Sequence, residues 1–389
     1  MSGSSITQLR KFVAPEFIFG VGALELVGRY ARHYGARKVL VVTDSGVRQA
    51  GWLKKVTDSL VEAELPWTVF ETVSPNPRAE EVMEGARVYA TEQCNLIVAL
   101  GGGSPLDCAK GIGIVSSNHR HICEFEGVDR VETPMPPLIC IPTTSGSSAD
   151  VSQFAIISDP ERQVKIAIVS KTLVPDLALI DPMTLSTMPD YLCACTGMDA
   201  LTHAIEACVS TAHSPITDLH GLEAIRLVRR YLPETVCRET RSVEGMCHLM
   251  LGSMEAGLAF SNAILGAVHA MAHSLGGLLD LPHGECNAIL LGAVVEANFS
   301  ACPERYTRIA AAMGLETAGK SEAEIQNSLL AEIRWLKETV GIRRTLGDIG
   351  LRREDISALA ATALKDACMA TNPREFGQEE VEEIYGKCF

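Results

Sequence analysis

"NLIVALGGGSPLDCAK", residues 95–110, runs an unbroken apolar segment into three consecutive glycines and then into a helix-forming stretch. An apolar run without polar alternation marks a strand buried on both faces, as in a parallel sheet. Glycines at its carboxyl end let the backbone pass close to a pyrophosphate. The helix opening at Ser104 then offers free N–H groups and the positive end of its dipole. The pattern is not G-x-G-x-x-G, so taken alone it also fits a tight strand–helix turn. Reading outward, "KVLVVTD" (38–44), "WTVFETV" (67–73), "PLICIP" (137–142), "FAIIS" (154–158), "VKIAIVS" (164–170) and "LALID" (177–181) have the same β character. Helical stretches lie around Trp52–Glu64 and from about Arg78 to Gln93. This alternation predicts a parallel, Rossmann-like α/β sheet with helices on both faces. After "DPMTLSTMPD" (181–190) strands give way to Ala/Leu/Met/Glu-rich helical stretches. The expected division is an α/β dinucleotide-binding domain over 1–188 and an all-helical domain over 189–389.

The 389 residues carry a net charge of −14, which repels a phosphate backbone and argues against a nucleic-acid partner. Thirteen cysteines, odd in number, scattered and without a C-x-x-C, point to free thiols in a reducing compartment. The opening "MSGSSITQLRKFVAPEFIFG" lacks the basic start and apolar core of a signal peptide. "AGLAFSNAILGAVHAMAHSLGGLL" (256–279) is long enough to span a bilayer. It nevertheless carries Asn262, serines and histidines, is broken by glycines and has no flanking Lys or Arg, so buried helices are expected instead. A cytoplasmic protein without a membrane partner is the resulting expectation.

Two features join the glycine loop. Asp44, just past "VLVVT", stands where an acid accepts from a ribose hydroxyl and repels the extra phosphate of NADP, favouring NAD(H); a turn or helix-cap role fits it equally. "IPTTSGSS" (141–148) is a second hydroxyl-rich loop after a strand, suited to phosphate or nicotinamide contacts or to an ordinary polar loop. Together the three point to a dinucleotide.

The second constellation consists of histidines. In "TGMDALTHAIEA" (196–207), Asp199 and His203 stand four apart and share a helix face, so both can grip one ion. A capping Asp with a helix-paired His has the same spacing. His269 and His273 repeat the interval, and "DLPHGE" (280–285) presents His283 from a Pro/Gly turn. One carboxylate and three or four imidazoles suit Fe(II), Zn, Mn or Ni better than Ca or Mg. Cys286 is read as packing.

"GGGSPLDCAK", "IPTTSGSSADV", "TGMDALTHAIEA" and "HAMAHSLGG…PHGECNAILL", in this order, resemble the iron-containing (group III) alcohol dehydrogenases from about Phe17 to at least Asn298. The resemblance implies a dehydroquinate synthase-like architecture, with a metal at the cleft between an α/β and an all-helical domain. It assigns the metal to Asp199, His203, His269 and His283 and leaves His273 beside it as the catalytic residue. It assigns the cofactor to Asp44, Asn76, Gly102, Gly103, Ser104, Thr143, Thr144, Ser147 and Lys165. Ser274 stands where the family often has proline and Cys208 where an aromatic is frequent, which bears on the substrate pocket rather than on a ligand. The implied activity is NAD(H)-dependent interconversion of a primary alcohol or small diol with its aldehyde. Fe(II), or Zn or another divalent ion, serves as Lewis acid on the substrate oxygen. A homodimer or larger homo-oligomer is implied as well. Alternatives are a sibling reaction, either hydroxy-aldehyde reduction or hydroxyacid–oxoacid transhydrogenation, then a metal-dependent hydrolase or lyase, and last a non-enzymatic role.

Overall fold

Side chains along a strand point alternately to opposite faces, so an apolar run with no polar alternation must be covered twice. The structure, a computed structural model, describes residues 9–162, 164–279 and 281–389, so the first eight of the opening twenty residues weighed above as a leader lie outside them. Val13–Met188 form one compact unit. Its strands are β1 (Glu16–Phe19), β2 (Val39–Val42), β3 (Trp67–Phe70), β4 (Leu96–Gly101) and β5 (Gly127–Val128). They continue as β6 (Leu138–Pro142), β7 (Phe154–Asp159), β8 (Val164–Val169) and β9 (Leu177–Ile180). The helices are α1 (Val27–His33), α2 (Ser45–Gln49), α3 (Trp52–Glu62), α4 (Ala79–Thr91) and α5 (Gly103–Asn118).

Six strands form a sheet in the order β1-β9-β6-β4-β2-β3, with every pairing parallel. Val39, Val41, Val98 and Ile141 face one core with Val27 of α1 and Val56 of α3. Leu40, Val42, Ile97 and Cys140 face the other with Val82 of α4 and Ile112 of α5. Each such aliphatic side chain, taken fully out of water, contributes roughly 1.5–3 kcal/mol. From β2 the chain steps to β3 on one side and returns to β4 on the other, so the topology switches between β2 and β4. Ligands of open α/β sheets bind beyond the strand carboxyl ends at such a point.

Two features depart from the sequence expectation. β7 and β8 do not enter the parallel sheet; they pair antiparallel, Ser158 opposite Lys165, in a three-stranded sheet with β5. The few residues between them suffice for a hairpin but not for the crossover that parallel strands need. β1 was not expected at all: "EFIF" is short and lies at the sheet edge, with Phe17 41% exposed.

The second unit comprises Pro189–Phe389 and takes in the segment ending at Phe12. Its helices are α6 (Asp190–Val209), α7 (Pro215–Thr235), α8 (Val243–Ala263), α9 (Ala267–Leu279) and α10 (His283–Asn298). After them come α11 (Pro303–Ala312), α12 (Glu322–Thr339), α13 (Ile356–Ala363) and α14 (Gln378–Gly386), and no strand occurs among the described residues of this unit. Among the described residues no single helix is long and apolar enough to cross a membrane. The apolar stretch at 256–279 is divided between α8 and α9, which meet at 100° and are largely buried within the unit.

Candidate metal centre and nucleotide loops

The metal candidates sit on three helices of the second unit. α6 is apolar along most of its length, yet Asp199 and His203, one turn apart, are both buried. His203 is stacked between Phe260 of α8, at 4.2 Å, and His269 of α9, at 4.5 Å. His283 is the first residue of α10, directly after the N-cap Pro282, while the Asp280 quoted with it lies outside the described residues. Glycine makes this approach possible: a Cβ at Gly284 would lie 2.3 Å from the Cys195 carbonyl oxygen of α6.

One ligand atom from each of Asp199, His203, His269 and His283 lies within 4.8 Å of all the others. Asp199 Oδ1 is 4.0 Å from His203 Nε2 and 3.8 Å from both His269 Nε2 and His283 Nε2. Atoms about 2.1 Å from one ion stand roughly 3.4 Å apart in a tetrahedral site, so the three distances from Asp199 are about half an ångström longer than a closed set needs. Burial, then the neighbouring imidazoles, push His269 well below its ordinary value, which keeps it neutral and able to donate a lone pair. The Asn287 amide, one turn after His283, shows what the cluster lacks. Its Nδ2 donates at 2.7 Å to Asp199 Oδ1 and also lies 3.1 Å from His269 Nε2 and 3.2 Å from His283 Nε2. Two amide hydrogens cannot satisfy three acceptors, and the Asn287 carbonyl oxygen has no partner among the described residues. A buried point where one carboxylate and several imidazole lone pairs converge has the chemistry of a cation site. Asp199, His203 and His269 expose at most 6% of their side chains, whereas His283 exposes 29%, so the cluster is open on one side.

His273 falls outside this group. Its Nδ1 is 2.8 Å from Asp366 Oδ2, its ring stacks 5.2 Å from that of His283, and its own cluster is with Asp366 and Cys368. Desolvation raises the Asp366 carboxyl, but the charge and hydrogen bond of His273 and the Cys368 amide outweigh it and hold the group at about 2. Cys286 is fully buried. Asp366, Glu206, Asn287 and Phe260 were not singled out in the sequence. Glu206 and Asn287 carry a helical signal, at i+3 from His203 and i+4 from His283, whereas Asp366 lies 93 residues from His273 and carries none.

The nucleotide candidates lie in the first unit, most of them beyond the carboxyl ends of β2, β3, β4 and β6, with Lys165 near the start of β8. The Thr143 amide after β6 donates to the Gly101 carbonyl at 2.8 Å. A Cβ on Gly102 would sit 3.0 Å from Thr144 Cγ2, and one on Gly103 would sit 3.0 Å from Ser147 Cβ, so the two loops touch where these glycines stand. Ser104 Oγ accepts from the Asn76 amide at 3.2 Å, and Asn76 Oδ1 accepts from Lys165 Nζ at 2.8 Å, which gathers these three residues. The α5 N-terminus, with N-cap Gly102, has no side chain capping it. Asp44 stands apart from this hydrogen-bonded set: its Oδ1 caps α2 by accepting from the Val47 amide at 2.9 Å. Lys110 of the opening stretch is buried and donates to the Ser152 and Phe154 carbonyls at 2.8 and 2.7 Å, pinning the chain that leads into β7.

Comparison with known proteins gives two family matches. Residues 14–182 match the iron-containing alcohol dehydrogenase family, and residues 193–389 match the C-terminal part of the Fe-containing alcohol dehydrogenase family. The 1,3-propanediol dehydrogenase of Klebsiella pneumoniae is 38% identical over 373 residues, covering 95% of this chain and 96% of the relative. The lactaldehyde reductase of Escherichia coli is 39% identical over 369 residues, covering 94% and 96%. The crystal structure of a 1,3-propanediol oxidoreductase superposes with a TM-score of 0.95 at 38% identity, covering 98% of this chain and 100% of that one.

Proposed function

The chain belongs to the iron-containing alcohol dehydrogenases, and we propose that it interconverts a short primary alcohol or small diol with its aldehyde using NAD(H). The observation that carries the proposal is the convergence of Asp199, His203, His269 and His283 ligand atoms within 4.8 Å. These four hold the divalent ion, Fe(II) by family. When bound, the ion supplies a Lewis acid for the substrate oxygen, and NAD(H) supplies the hydride carrier.

The chain's own residues do the rest. The buried carboxylate of Asp199 would balance part of the charge of a bound ion, and His203, His269 and His283 would complete its holding set. The exposed side of the cluster, at His283, admits the alcohol. His273, whose Nδ1 is held 2.8 Å from Asp366 Oδ2, relays the hydroxyl proton or orients the substrate. For NAD(H), Gly102, Gly103 and the start of α5 receive the pyrophosphate, while Thr143, Thr144 and Ser147 offer hydroxyls. Asn76 and Lys165 act as a hydrogen-bonded pair beside Ser104. The second carboxylate oxygen of Asp44 accepts from the ribose and disfavours NADP(H).

A diol or hydroxy-aldehyde substrate is supported by the propanediol dehydrogenase and lactaldehyde reductase relatives. The scattered thiols support a cytoplasmic location, and the exposed Phe17 on edge strand β1 supports a homodimer or larger assembly. The test is metal analysis of anaerobically purified protein coupled to NAD reduction with a panel of short alcohols and diols. Bound iron with NADH from at least one diol is expected. Metal binding with no dehydrogenation across the panel contradicts the proposal, and turnover without added NAD replaces it by transhydrogenation.

A further inference from the structure

Glu206 is entirely buried, sits on α6 one turn after His203 and reaches across to the start of α9. Its Oε1 accepts from the Val268 amide at 2.7 Å and its Oε2 lies 2.5 Å from His269 Nδ1. The link between α8 and α9 is shaped around it. A Cβ on Gly266 would stand 2.9 Å from Glu206 Oε1, and Ile264 holds a φ of 63°, a conformation that β-branched residues avoid. Such a backbone persists only where its surroundings fix it. Here Thr371 Oγ1 donates to the Leu265 carbonyl at 2.6 Å, and Asn372 Oδ1 accepts from the Ala267 amide at 3.2 Å. Glu206 alone of these groups also touches a ring of the metal cluster.

The ring nitrogens of His269 are therefore assigned from both sides. Nε2 faces the Asn287 Nδ2, which can only donate, at 3.1 Å, and Nδ1 faces Glu206 Oε2 at 2.5 Å, so the ring proton belongs on Nδ1. A histidine that binds an ion through Nε2 needs this tautomer.

We propose that Glu206 is a positioning residue for the metal centre: one carboxylate fixes the start of α9 and locks His269 with its Nε2 lone pair turned toward Asp199, His203 and His283. The proposal rests on the ligand set given above. In Glu206→Gln the side chain keeps one acceptor where two N–H groups need one each. Turning its amide nitrogen toward His269 forces the ring proton onto Nε2, which removes the ligand.

The test is Co(II) titration of chelator-stripped wild type and Glu206→Gln, each checked for fold by circular dichroism, with NMR of isotope-labelled histidines in the metal-free proteins. The variant should bind Co(II) about 10–100-fold more weakly, and kcat should recover once the metal is saturating, because Glu206 touches neither substrate nor hydride. The wild-type spectrum should show His269 protonated on Nδ1. Equal Co(II) affinity in a folded variant overturns the proposal. So does a wild-type His269 protonated on Nε2, a reading that stands even if the variant fails to fold. Failure of wild type to bind Co(II) strikes the ligand set itself, which separates the two claims.

Discussion

His273 stands beside the four-residue cluster without joining it. Its i+4 spacing from His269 makes it a natural partner in a helical metal pair, yet its Nδ1 is engaged by Asp366 and its ring stacks on His283. A proton-relay role predicts that His273→Ala lowers turnover by about 10²-fold or more while bound metal stays near one ion per chain. Loss of the metal together with activity, in a folded variant, would instead make it a ligand. The chemistry of the cluster was legible because Asp199, His203, His269 and His283 are unusual residues to place in apolar helices. Which histidine did which job was not, since spacing reports the face of one helix and not what a neighbouring helix brings to it. Asp366 was invisible for the same reason. Asp44 was ambiguous in sequence, and its carboxylate does serve as a helix cap, with one oxygen uncommitted to that bond.

Between elements, the decisive contacts are close approaches. Gly284 lets the first turn of α10 lie on α6, with a hypothetical Cβ 3.2 Å from Asp199 Cβ as well as against the Cys195 carbonyl. Gly284→Ala must push the helices apart, at a cost of roughly 1–3 kcal/mol for an overpacked core. His283 should then move away from Asp199, weakening metal binding about tenfold or more. Urea unfolding and a metal titration on the same protein check both parts; unchanged metal affinity would show that α10 is not placed through this contact. Strands β2, β4, β6 and β9 were readable from sequence because double burial leaves a continuous apolar run. β7 and β8 were readable as strands but not as an antiparallel pair, because strand character does not carry direction. The apolar stretch at 256–279 could be distinguished from a membrane span only by composition, and the 100° bend between α8 and α9 is a property of the backbone at Ile264–Gly266.

At the scale of the whole chain, stability should respond to acid through a network outside the proposed ligand set. Burial raises the Asp218 carboxyl, but His213, Arg305 and Arg308 outweigh it and hold the group at about 2. A carboxyl depressed in the folded state takes up its proton first in the unfolded chain, whose value is near 3.9. Its stabilisation, roughly 2 kcal/mol, is therefore complete above about pH 4 and is lost as the pH falls toward 2. The stability difference between wild type and Asp218→Asn, from urea unfolding, should shrink across that window; a difference independent of pH would remove Asp218 from the account of acid sensitivity. The central claim is that Asp199, His203, His269 and His283 hold the ion on which NAD-linked alcohol oxidation depends. Its most direct test is NADH formation from a short diol by chelator-stripped protein as Fe(II) is added back without oxygen. The rate should start near zero and level off at one iron per chain, and it should stay flat throughout for Asp199→Asn. Full activity in stripped wild type, or the same plateau in Asp199→Asn, would contradict the assignment.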